Sequence, residues 1–148
     1  MKIKNRFATL LAITALFTGL SVSAQDKKIS AAELPAAAQN FIKQHFKDQT
    51  VTAAKMDKEM FDIDYETVLS NGTEIEFDEK GNWKEIDGNH NALPVSVIPT
   101  AINNYISSNY KGQGVVQIDK KHAGYDIELS NGTELEFDTN GKFLRIDD

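Results

Sequence analysis

Carboxylates recur at every second position in four short stretches of this chain. Asp62, Asp64 and Glu66 lie in FDIDYETVL, and Glu74 and Glu76 in TEIEF. Asp126 and Glu128 lie in YDIEL, and Glu134 and Glu136 in TELEF. Carboxylates held close together can act as general acid and base, hold a cation, or face a basic partner. Acid–base work needs a pocket that buries one carboxyl and shifts its pKa. Alternation of acidic with apolar residues instead describes a strand with one wet face, and an open sheet face offers no such pocket. These nine residues are therefore candidates for a binding surface, taking a protein partner or, alternatively, cations or a small molecule. No catalytic residue is assigned, and the chain reads as a non-enzyme.

Other motifs point to scaffold. His45, His90 and His122 stand alone, with no His or Cys at metal-ligand spacing. There is no HExxH, GxSxG or glycine-rich phosphate loop, so no metal or cofactor is expected. Asp78-x-x-Gly81 and Asp138-x-Asn140-Gly141 resemble pieces of a calcium loop but lack its Glu at the twelfth position. They read as type I turns, with Asp first and Gly fourth. Asn71-Gly72-Thr73 and Asn131-Gly132-Thr133 are formal glycosylation sequons whose residues the turn chemistry already explains.

The strands that position the carboxylates can be registered from the sequence. LSNGTEIEFD at 69–78 returns as LSNGTELEFD at 129–138. A two-residue Asn-Gly turn would pair Glu66 with Phe77 and mix the faces. A three-residue loop, Ser70-Asn71-Gly72, pairs Thr67 with Ile75 and Tyr65 with Phe77, and the faces agree. The same loop in the second copy pairs Ile127 with Leu135. This predicts a type I turn closed by a bulge, with Gly72 and Gly132 at positive φ. It also sets Glu66 opposite Glu76, Glu128 opposite Glu134 and Asp126 opposite Glu136. Such like-charge pairs weaken a sheet, with Lys55, Lys84 and Lys142 near enough in sequence to relieve them.

The repeat extends to two helical stripes. Leu34, Ala38, Phe41, Ile42 and Phe46 share one helix face, as do Ile98, Ala101, Ile102, Tyr105, Ile106 and Tyr110. Ser30 with Glu33 forms a capping-box pattern before Pro35. The helices repeat at an offset of 64 residues and the hairpins at 60, which places about four extra residues near 58–62. Four strands are expected per copy, near 51–57, 61–69, 73–78 and 82–87, then 115–120, 124–130, 133–138 and 142–147. The first copy spans about 30–88 and the second about 93–148.

Residues 1–24 read as a secretory signal peptide, with Lys2, Lys4 and Arg6 before an apolar run and cleavage expected after Ala24. No Cys follows that run, which excludes a bacterial lipoprotein. Residues 25–148 then form one domain in the periplasm or outside the cell, with no membrane span left. Losing the three leader bases makes the formal charge of −6 more negative still, which argues against nucleic acid and anionic lipid as partners. The chain has no Cys, so it folds without disulfides and holds no thiol chemistry.

Two helices with an early Leu34-Pro35 or Ile98-Pro99, each followed by YxxxLxNGxExEFDxxG, resemble the PepSY-like family of secreted bacterial proteins. The residues carrying this are Tyr65, Leu69, Asn71-Gly72, Glu74, Glu76-Phe77-Asp78 and Gly81, with Tyr125, Leu129, Asn131-Gly132, Glu134, Glu136-Phe137-Asp138 and Gly141. The resemblance implies the beta-lactamase-inhibitor-like fold. This is an α+β tandem repeat of two helix-plus-four-strand units, forming one eight-stranded antiparallel sheet with both helices on one face. It implies no catalytic residues, and a role as inhibitor or modulator of a secreted protein by analogy of fold.

Overall fold

The computed structural model describes residues 26–59 and 61–147, so the expected leader lies outside the described residues. One antiparallel sheet of nine strands runs in chain order. Its strands are β1 (Asp26–Ile29), β2 (Val51–Lys58), β3 (Ile63–Leu69), β4 (Glu74–Phe77), β5 (Trp83–Asp87), β6 (Val115–Lys121), β7 (Gly124–Leu129), β8 (Glu134–Asp138) and β9 (Phe143–Asp147). Helix α1 (Ala36–His45) precedes β2 and α2 (Thr100–Asn109) precedes β6.

Nine strands replace the expected eight, because β1 pairs with the outer edge of β2. DKKI carries one apolar residue, too few for period two to show. That residue, Ile29, begins a row that crosses the sheet through Ala54, Thr67, Ile75, Ile86, Ile118, Ile127, Leu135 and Ile146. This row and the flanking Phe77 and Phe137 face the helices. Ala38 and Ile42 of α1, and Ile102 and Ile106 of α2, are buried against them. Phe41 meets Phe77 edge-on at 5.9 Å, and Tyr105 meets Phe137 at 5.4 Å and stacks on Phe143 at 4.7 Å. Each fully buried Phe or Ile contributes about 2–3 kcal/mol of transfer free energy.

The hairpin register follows the three-residue loop. Tyr65 pairs with Phe77, Thr67 with Ile75, Tyr125 with Phe137 and Ile127 with Leu135. The Leu69 N–H donates to Thr73 O at 2.8 Å and that of Leu129 to Thr133 O at 2.9 Å, with Gly72 and Gly132 at φ 86° and 80°. The carboxylate of Asp78 caps its turn by accepting the N–H groups of Lys80 and Asn82, and Asp138 does the same for Asn140 and Lys142.

Two expectations are corrected. Ser30 and Glu33 do not cap α1; they close a separate 3₁₀ turn, Ala31–Glu33, where Glu33 accepts the Ser30 N–H at 2.7 Å. A residue before proline is driven from the helical region, and Leu34 sits at ψ 150°. The helix therefore begins beyond Pro35. Period two through FDIDYETVL, in the strand expected at 61–69, sets Phe61 on the apolar face with Ile63 and Tyr65, but Phe61 is 94% exposed. It belongs to the turn before β3, closed by the Glu59 N–H donating to Asp62 O, and β3 starts only at Ile63.

Candidate functional site

On the side of the sheet away from the helices, one cross-strand row reads Lys28, Lys55, Glu66, Glu76, Glu85, Asp119, Asp126, Glu136, Arg145. Carboxylates thus stand side by side on every strand from β3 to β8, about 5 Å apart, with basic residues at both ends. The adjacent row reads Val68, Glu74, Asp87, Gln117, Glu128, Glu134, Asp147. Of the nine candidate residues, Glu66, Glu76, Asp126 and Glu136 fall in the first row and Glu74, Glu128 and Glu134 in the second. Asp64 lies in a further row opposite Asp57. Asp62 is exposed in the turn before β3 and stands apart from the face.

Sequence reasoning missed Glu85, Asp87, Asp119 and Asp147. A bulge hid the first two. Phe77 pairs with Trp83 and Glu76 with Glu85, leaving Lys84 as the extra residue. Trp83 and Ile86, three apart, thereby share the helix side. The same bulge in β9 pairs Phe137 with Phe143 and Glu136 with Arg145, leaving Leu144 extra. In β6, alternation of Val116 and Ile118 with Gln117 and Asp119 was a usable signal.

Cations and amides temper the repulsion unevenly. Lys84 Nζ reaches Asp64 at 2.9 Å and Glu76 at 2.8 Å, and Lys55 reaches Glu66 at 3.0 Å. Lys121 pairs with Asp119, Arg145 meets Glu136 at 2.7 Å, and Gln117 donates to Glu85 at 2.7 Å. The expected relief by Lys142 is supplied instead by Arg145. Burial would lower the Lys84 pKa, but its two carboxylate partners outweigh that and raise it well above the usual range. Burial pushes the Glu66 carboxyl up, against the pull of Lys55. Burial and then Glu76 raise Glu85; burial and then Glu128 and Asp147 raise Glu134. Among the described residues no ion pair reaches Glu128 or Glu134, and no three His, Asp or Glu converge at metal-holding distance.

Leu144 holds the place in β9 that Lys84 holds in β5, and Gly124 stands where Asp64 does. With Asp126, Glu136, Arg145, Lys121 and His122 they line a hollow of about 370 Å³ at the end of the carboxylate row. It offers an apolar wall beside acidic groups. On the opposite edge of the molecule, His45 Nδ1 lies 2.9 Å from Ser96 Oγ. Nucleophilic catalysis needs the imidazole oriented by a third group, and among the described residues none is hydrogen-bonded to the other ring nitrogen. The pair tethers the end of α1 to the turn Val95–Val97.

The sequence profile of the PepSY-like family, described as beta-lactamase-inhibitor-like, matches residues 20–70 and 63–145. The chain belongs to this family. Three solved structures share the PepSY-like fold with it. A protein of Bacteroides thetaiotaomicron, described as a candidate calcium-regulated periplasmic protein, is 43% identical over 83% of this chain and 97% of that one, with TM-score 0.79. A protein of Bacteroides vulgatus described as a candidate periplasmic protein of the DUF2874 family is 39% identical over 86% and 100%, with TM-score 0.80. A second B. vulgatus protein, described as a candidate periplasmic protein of unknown function, is 38% identical over 83% and 99%, with TM-score 0.78. No curated protein matches the chain. No helix among the described residues is long and apolar enough to cross a membrane.

Proposed function

We propose that this PepSY-like protein is a non-catalytic binding module of the bacterial envelope, whose acidic sheet face holds a basic protein partner and so inhibits or modulates it. We read residues 1–24 as its export signal and residues 25–148 as one domain built from a duplicated helix-plus-four-strand unit. The observation that carries the reading is the unbroken row of carboxylates from Glu66 to Glu136. Like charges side by side weaken a sheet, so stability alone gives no reason to place them there. The hollow beside Leu144 offers a basic partner an apolar wall next to the Arg145–Glu136 pair and Lys121, so it suits an apolar side chain at the margin of the basic contact.

Glu128 and Glu134 are the informative positions, since they face each other and no basic residue among the described ones forms an ion pair with them. Reversing both to Lys should abolish capture of the partner from a native envelope extract, and raised salt should weaken capture by the unaltered protein. Capture that survives the reversal would remove this surface from consideration.

A second reading is binding of divalent cations or small polycations at the same face. The carboxylate row supports it, as does the description of the B. thetaiotaomicron relative as calcium-regulated. Calorimetry with calcium and with spermidine separates the two; a flat trace for both rejects the second.

A further inference from the structure

Ile86 is fully buried, whereas Ile146, at the corresponding place in β9, is 47% exposed. The difference lies in the next strand. Ile86 is flanked by Ile118 of β6 through the pairs Glu85–Asp119, Ile86–Ile118 and Asp87–Gln117. Among the described residues no strand lies beyond β9. Its outer edge leaves Arg145, Ile146 and Asp147 unpaired on that side. The other end of the sheet differs: β1 carries the exposed Lys27 and Lys28, the charged residues that guard sheet edges against pairing.

We propose that β9 is a self-association edge, where two copies pair antiparallel about a two-fold axis at Ile146. Three features select this arrangement. First, all nine strands are antiparallel to their neighbours, so β1 and β9 run the same way. Joining β9 to the β1 of another copy with the apolar faces aligned gives a parallel pair. Joining β9 to β9 through an axis normal to the sheet gives an antiparallel one, like every other pair in the sheet. Second, the registers centred on neighbouring residues fail: one centred on Arg145 opposes two arginines and one centred on Asp147 opposes two aspartates. The register centred on Ile146 sets Arg145 opposite Asp147 of the other copy, twice over. Third, Ile146 then meets Ile146 as Ile86 meets Ile118, extending the apolar row across the seam. The symmetry is isologous and closed, so assembly stops at the dimer. It places both acidic faces on the same side. With three backbone pairs per seam the interface is small, and the dimer forms in proportion to concentration.

Sedimentation equilibrium of the purified protein tests this. The mass should rise from monomer to dimer with concentration and no further. Arg145→Asp and Asp147→Arg should each remain monomeric, and mixing them in equal amounts should restore a dimer of one copy of each. Ile146→Lys should also remain monomeric, and it serves if Arg145→Asp, which sets a carboxylate against Glu136, does not fold. A protein that stays monomeric at every concentration overturns the proposal. So do charge variants that dimerise like the unaltered protein, or growth past the dimer, which indicates head-to-tail assembly instead.

Discussion

Lys84 and Leu144 occupy the same bulge position in their hairpins, opposite Phe77 and Phe137, yet only the lysine spans two carboxylates. One cation thus serves two carboxylates in the first hairpin, whereas in the second Arg145 serves Glu136 alone and a hollow lies beside Leu144.

Lys84→Met leaves Asp64 and Glu76 without their shared cation. It should destabilise the protein by about 1–2 kcal/mol, less than a fully buried pair would, because the Lys84 side chain is 41% exposed. Leu144→Lys should bring no comparable gain, because Gly124 stands where Asp64 does and Glu136 already holds Arg145. Urea unfolding of both variants reads the difference.

The fold was legible where residue types had one physical solution. Agreement of faces left only the three-residue loop for both Asn-Gly hairpins. It failed where a local irregularity carried the information: the bulge at Lys84 concealed the side of β5, and with it Glu85 and Asp87. β1 was invisible because its strand state comes from the β2 edge and not from its own four residues. Seven of the nine candidate acids do share the two central rows. The acidic face itself was legible; its cations were less so, since Arg145 reaches Glu136 only through the β9 bulge.

Four carboxyls, Asp57, Glu66, Glu85 and Glu134, are held above their ordinary values. A raised carboxyl binds its proton more tightly in the folded state. Stability therefore rises as pH falls from neutral through the folded pKa values toward the ordinary glutamate value, and falls again on the return. Thermal melts between pH 7 and pH 5 should show the melting temperature increasing. Glu134→Gln should be more stable than the parent at pH 7 and should reduce that slope.

Gly81 touches α1 through its turn: a Cβ there would lie 2.7 Å from Ala38 N at φ 83°. Gly132 shares the positive φ, but a Cβ there meets nothing within 4 Å. Gly132→Ala should cost about 1–2 kcal/mol from backbone strain alone. Gly81→Ala should cost distinctly more, since strain and overpacking add. Equal losses in chemical denaturation would contradict the contact with α1.

Ile86→Ala should cost about 2–5 kcal/mol, as for a core aliphatic. Ile146→Ala, at the open edge, should cost under about 1 kcal/mol in the monomer. The gap between the two in urea midpoints measures how completely β6 covers β5.

The most direct test of the acidic face is capture of a basic partner from native envelope extract by the unaltered protein and by Glu128→Lys/Glu134→Lys, with the melting temperature of each recorded. The account predicts a double variant that still folds, because a lysine at 134 gains Asp147 opposite it even though the two lysines face each other, but with capture lost. A well-folded variant that retains full capture would contradict it.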